Sequence, residues 1–195
     1  MQMSLFPLSA VLFPYGRMPL RIFERRYVDL VRDSMRSGEG FGIVRLEAGA
    51  ETGGEGLPLL APVGTVARIV DWDQLDGGLL GITVVGEQRF SLLGHHRADS
   101  GLIVGEVELL SPPSPAAMQE QWAPMVELLT GLEAHPHVQR IGLDVDHDDA
   151  WQVAYALLQL LPLDEGFKAL LLDIADIDEL MSQLDEVLGD MSGED

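Results

Sequence analysis

The chain has 195 residues, 47% hydrophobic and 23% charged, with no cysteine and a formal net charge of −20. A chain of this length buries roughly 70% of its unfolded surface, which argues against disorder throughout, and the lack of cysteine excludes disulfides and thiolate metal sites while suiting a reducing cytoplasm. No apolar run follows a basic flank and no uncharged apolar stretch reaches about 18 residues, so neither a secretion signal nor a membrane-spanning helix is expected.

Up to residue 110, short apolar and β-branched runs recur between glycines: Met3 to Leu8, Phe41 to Leu46, Gly64 to Trp72, Leu79 to Val85, Gln88 to Leu93 and Leu102 to Leu110. These read as strands. Val66, Arg68, Val70 and Trp72 alternate with Ala67, Ile69 and Asp71, so neither face is cleanly polar and cover on both sides is predicted. Asp76-Gly77-Gly78 supplies positive-φ residues for a hairpin turn. Phe23 to Ser37 is predicted as a helix, with Phe23, Tyr27, Leu30, Val31 and Met35 on one face and Gly38 and Gly40 ending it.

Ser111-Pro112-Pro113-Ser114-Pro115-Ala116-Ala117 cannot continue a ladder, because its prolines lack donors, and reads as a connector. The period then becomes helical. Helices are predicted from Ala116 to Leu132, from Ala150 to Leu161, whose nearly all-round apolarity suits a buried central position, and over Phe167–Leu172 and Ile177–Leu188. Asp164, Glu165, Asp176 and Asp178 sit where a helix amino terminus favours negative charge, and residues 189–195 read as a frayed tail. The expected organisation is a β-rich domain over 1–110, a connector over 111–117 and an acidic helical domain over 118–195, without internal repeats.

Charge follows the same division. Residues 1–97 carry a net charge of −1, with ten arginines, whereas residues 98–195 carry −19, with Arg140 and Lys168 their only cations. The second half should repel nucleic acid and anionic lipid, because phosphate binding rests on cationic side chains. Solubility explains such a surface most simply, and a basic protein partner is the alternative.

The opening carries the most distinctive pattern: Leu5-Phe6-Pro7-Leu8, then Leu12-Phe13-Pro14-Tyr15-Gly16-Arg17-Met18-Pro19-Leu20-Arg21-Ile22-Phe23-Glu24-Arg25-Arg26-Tyr27. Phe41-Gly42-Ile43-Val44, Val63-Gly64-Thr65-Val66-Ala67-Arg68-Ile69, Asp76-Gly77-Gly78-Leu79-Leu80-Gly81-Ile82, Gly86-Glu87-Gln88-Arg89-Phe90 and Leu160-Leu161-Pro162-Leu163 follow in order. Together they resemble the amino-terminal, substrate-binding domain family of Lon protease over most of the chain. The resemblance implies an α+β fold, a PUA-like β-rich pseudobarrel with a carboxy-terminal helical bundle, and recognition of unfolded or flexible polypeptide without a cofactor. Two positions depart from the family pattern: Tyr15 stands where glycine is common, and Arg25 where proline often precedes Arg26-Tyr27.

A complete Lon protease adds an ATPase and a serine–lysine protease. The sequence holds no G-x-x-x-x-G-K-[ST] loop to cradle phosphates, and its one lysine, Lys168, reads as an ordinary surface residue on an acidic helix. The expectation is therefore a non-enzymatic stand-alone binding module of the cytoplasm, acting on client chains or beside a separate protease.

For peptide binding, the candidates are the apolar residues that an opening loop would present: Phe13, Tyr15, Met18 and Leu20. Burial under the barrel is the competing account of all four. Arg17, Arg21, Arg25 and Arg26 are candidates for an anion or partner surface, and with Arg32 and Arg36 they form a cluster available to RNA in the alternative reading. Interleaved Glu24, Asp29 and Asp33 favour internal pairing instead. No metal site is expected. Asp144-Val145-Asp146-His147-Asp148-Asp149 begins like a calcium loop, but Asp149 replaces the turn glycine and Tyr155 stands in place of the closing glutamate, so capping of the helix before Trp151 is the simpler account. His95-His96 and His135-Pro136-His137 read as solvated loop features.

Overall fold

The computed structural model describes residues 1–49 and 56–192. The first half holds β1 (Gln2–Leu8), β2 (Arg17–Ile22), α1 (Arg25–Ser37), β3 (Phe41–Ala48), β4 (Leu59–Gln74), β5 (Leu80–Arg97) and β6 (Ile103–Leu109). The second holds α2 (Ala123–Glu133), α3 (Pro136–Ile141), α4 (Ala150–Leu160), α5 (Glu165–Asp173) and α6 (Ile177–Ser192).

The strand order is β2-β5-β4-β3-β1-β6, and β6 pairs back onto β5, which closes the last five strands into a ring. Among the described residues only β1 and β3 run parallel; the remaining pairs are antiparallel. This is the expected pseudobarrel. Strand β2 stands outside the ring, joined by its inner edge to the first half of β5, with Arg17 opposite Val85 and Ile22 opposite Leu80.

Two differences from the sequence reading have clear physical causes. The runs predicted as two strands around Gly86 form one long strand, β5, because its pairing with β4 shifts register there without breaking; a methyl group on Gly86 would overlap the Phe13 carbonyl oxygen. Strand β2 was not expected at all. Its alternation of Arg17, Pro19 and Arg21 with Met18, Leu20 and Ile22 is that of a strand, and proline is tolerated because the strand lies on an edge.

Among the helices, α2 begins at Ala123 and not at Ala116, because the start of the expected span is extended and Glu120–Trp122 form only a 3₁₀ turn: Ala117 bridges Asp149, and the Ala116 carbonyl accepts from the Ala150 N–H at 2.7 Å. His135-Pro136-His137, expected as a loop, starts α3, with the His135 Nδ1 accepting from the His137 N–H at 3.2 Å. Helix α6 continues to Ser192, beyond the expected start of a frayed tail; residues 193–195 of that tail lie outside the described residues. Capping followed expectation: Asp149 accepts from Trp151 N–H, Asp164 from Phe167 N–H and Asp176 from Glu179 N–H, each at 2.9 Å.

Apolar burial falls into three clusters. One fills the ring, around Leu5, Phe90 and Ile103. A second packs α1 on the sheet, where the rings of Phe6 and Tyr27 stack with centroids 4.0 Å apart. In the third, α4 is central as its sequence predicted, yet Val11, Phe13 and Val63 of the β-rich half belong to that same cluster. The helices therefore share a core with the barrel.

Candidate functional site

The distinctive opening segment folds into a joint. Gly16 N–H donates to the Phe13 carbonyl at 3.0 Å, with Pro14 and Tyr15 between, and Tyr15 has φ +64°. This is a type II turn, whose third position favours glycine. Holding a tyrosine there costs roughly 1–2 kcal/mol, and neighbours fix the conformation: Tyr15 N–H donates to Gly86 O at 2.8 Å and Gly86 N–H to Gly16 O at 2.9 Å. The departure from glycine at this position leaves the turn intact.

Consequently Phe13 is not presented. It is fully buried, 5.7 Å from the ring of Tyr155 on α4, which corrects the expectation of a displayed loop residue. Tyr15 remains 41% exposed, and partial burial, helped by the negative charge of Asp149, raises its phenol pKa above the ordinary value.

Strand β2 then distributes the other candidates by alternation. Met18 and Leu20 are half-buried and lean on the α1 cluster, whereas Arg17, Pro19 and Arg21 take the opposite face. Arg17 reaches Gly142 at the end of α3, its Nη1 3.1 Å from where a methyl group on that glycine would stand. Arg26 pairs with Glu24 at 3.0 Å, donates to the Gly101 carbonyl at 2.9 Å and lies over the Tyr27 ring. Arg32 pairs with Asp29 at 2.8 Å. Arg21 and Arg25 are exposed and make no ion pair among the described residues. The six arginines thus do not form one basic face.

Pro19, absent from the sequence-based candidates, is the geometric hub. Three clefts meet at it: one of about 360 Å³ toward the β4–β5 hairpin, including Trp72 and Leu75; one of about 300 Å³ against α3; and one of about 180 Å³ beside Phe23, Leu8 and Tyr27. Leu75 lies over Gly81, where a side chain would crowd it. Phe23, expected on the buried face of α1, precedes that helix and is 62% exposed; Trp72 is 59% exposed. The one available signal was proline inside an alternating run, which marks an edge strand.

The fold matches that of known proteins. Residues 2–188 fit the family described as the ATP-dependent protease La (LON) substrate-binding domain. The chain belongs to the Lon substrate-binding domain family. Among solved structures, the Lon N-terminal domain protein from Xanthomonas campestris is 33% identical, with 94% of this chain and 96% of that one covered and a TM-score of 0.74. The N-terminal domain of the Mycobacterium avium complex Lon protease shares the fold at 16% identity and a TM-score of 0.63, with the same two coverages. No curated protein matches. This family is a substrate-recognition module, and in this chain the opening segment joins barrel to helices.

Two buried cations reinforce that joint. Lys168 is only 5% exposed and not a surface residue: its Nζ meets Glu165 Oε1 at 3.0 Å, while Glu165 Oε2 accepts from the Val11 N–H at 2.7 Å. Arg89 donates through Nη1 to the carbonyls of Leu172 and Ile174, both at 2.7 Å, which satisfies the end of α5.

Proposed function

We propose that this chain binds flexible polypeptide on the surface around β2 and holds it without chemical change, in the cytoplasm, leaving the client available to a separate protease. The observation carrying this reading is the convergence of three largely apolar clefts on Pro19, flanked by Phe23 and Trp72 with more than half of each side chain in water. A chain that has lost its core exposes apolar side chains, and clefts of this size accept one or two apiece. Pro19 offers no N–H, so recognition through side chains in clefts fits this edge better than addition of a further strand.

Fluorescence anisotropy with a labelled, unstructured, apolar-rich peptide tests the reading. Micromolar affinity is expected, and Phe23→Ser should weaken it roughly fivefold, about 1 kcal/mol of lost apolar burial. Absence of binding by the unaltered protein would end the proposal.

A further inference from the structure

The two clefts on the outer side of β2 share Pro19 and Thr83 but differ in charge. Against the hairpin, Asp71 and Asp73 line the cleft together with Arg21. Against α3, the lining is Pro19, Thr83, His137, Arg140 and Ile141, with no carboxylate among them. That placement runs against the composition. Of the two cations in residues 98–195, Lys168 is paired with Glu165, whereas Arg140 stands in the wall of a cleft. Its guanidinium meets His137, with Nη2 and Nδ1 3.5 Å apart, which is an acceptor and not a counter-charge. Arg17 adds a second guanidinium close by, at Gly142, the residue that ends α3.

We infer that the cleft between α3 and the β2–β5 pair takes a carboxylate of the bound polypeptide, with Arg140 as its principal partner. The inference rests on the polypeptide-binding reading above and names the chemistry that reading leaves open. A guanidinium fork matches a carboxylate in two parallel hydrogen bonds. Pro19 and Ile141 give the cleft apolar flanks, and Thr83 lines it beside them. In the neighbouring cleft, which shares Pro19 and Thr83, two carboxylates, Asp71 and Asp73, outnumber Arg21 and disfavour a bound carboxylate, so the α3 end is the favoured place for it.

The test uses three unstructured peptides of one apolar-rich sequence: an amidated peptide with a single Glu, the same peptide with Gln, and the Gln peptide with a free carboxyl terminus. Anisotropy is measured with the unaltered protein, Arg140→Gln and Arg140→Lys. The unaltered protein should bind at least one carboxylate peptide roughly five- to tenfold more tightly than the amidated Gln peptide, and which one identifies side chain or terminus as the source. Arg140→Gln should abolish that preference, bringing the carboxylate peptides and the amidated Gln peptide to equal affinity, and Arg140→Lys should restore part of it. Equal affinities of all three peptides for the unaltered protein, or an Arg140→Gln variant weakened equally for all of them, would overturn the inference while polypeptide binding stands. Failure of every peptide to bind would remove the polypeptide reading itself, and this inference with it.

Discussion

Gln159 of α4 pairs with the backbone of Phe13 as a neighbouring strand would: its Oε1 accepts from the Phe13 N–H at 3.0 Å, and its Nε2 donates to the Val11 carbonyl at 3.3 Å. Between them, Thr65 Oγ1 donates to the Leu12 carbonyl at 2.6 Å, so helix and barrel hold the same loop from two sides. Gln159→Leu leaves a half-buried N–H without its acceptor and should cost about 1–3 kcal/mol in urea unfolding. Gln159→Glu, which keeps the acceptor, should cost less; equal stability of all three proteins would show that the amide contributes nothing to the joint.

The Lys168–Glu165 pair predicts an asymmetric response. Glu165→Ala strands a buried ammonium and the Val11 N–H together, an expected loss of about 3–5 kcal/mol. Lys168→Met fills the same space without a charge and leaves a partly exposed carboxylate, so its cost should stay below about 2 kcal/mol. Thermal and urea unfolding of the two variants decide it, and equal losses would sink the argument.

Tyr15→Gly should relieve left-handed backbone strain of roughly 1–2 kcal/mol, offset in part by the greater freedom of glycine in the unfolded chain. A net gain of up to about 1 kcal/mol is expected. Tyr15 lines none of the clefts that meet at Pro19, so peptide affinity should change less than about twofold, roughly 0.4 kcal/mol. A larger loss of affinity would place its ring in the recognition surface.

Tyr155 predicts an alkaline limit. Its hydroxyl is buried without a hydrogen-bond partner among the described residues, and burial, opposed by Arg89 and assisted by nearby Tyr15, pushes its pKa up to about 12 from 10.0. The unfolded chain therefore releases this proton first. Stability is fully present below pH 10 and falls as pH rises toward 12, by roughly 3 kcal/mol for two pH units. Tyr155→Phe removes that component of the decline and the unpartnered hydroxyl, with an expected gain of about 1 kcal/mol at neutral pH. Urea titrations at several alkaline pH values would contradict this if the two proteins declined in parallel.

Trp72 offers an intrinsic reporter. Trp122 and Trp151 are buried in the helical core, so the water-exposed emission belongs to Trp72. Polypeptide bound in the cleft beside the hairpin should shift that emission to the blue and protect it from acrylamide. Trp72→Phe should abolish the shift, and persistence of the shift in that variant would move the binding surface elsewhere.

Legibility in the sequence tracked how local the cause was. The buried centrality of α4 and its Asp149 cap were readable because periodicity and capping depend on neighbours a few positions away. Strand β2 was missed because Pro19 argues against a strand unless one knows that no strand covers its outer edge. Phe23 was assigned to the buried face of α1 because its spacing continues that of Tyr27 and Leu30, although the helix begins two residues after it.

By itself the sequence determined the α+β order of elements, the caps, the acidic second half and membership of a substrate-binding family, since each rests on residue chemistry and short spacings. The tertiary structure alone decided that Phe13 is buried while Phe23 and Trp72 are exposed, that Lys168 sits in a core, and that Arg140 comes to Pro19. Those outcomes depend on which distant segments cover each face: β6 closing onto β5, α4 seating the opening loop, and α3 packing beside β2. No spacing along the chain encodes such contacts, because burial is settled by the summed packing of the whole fold.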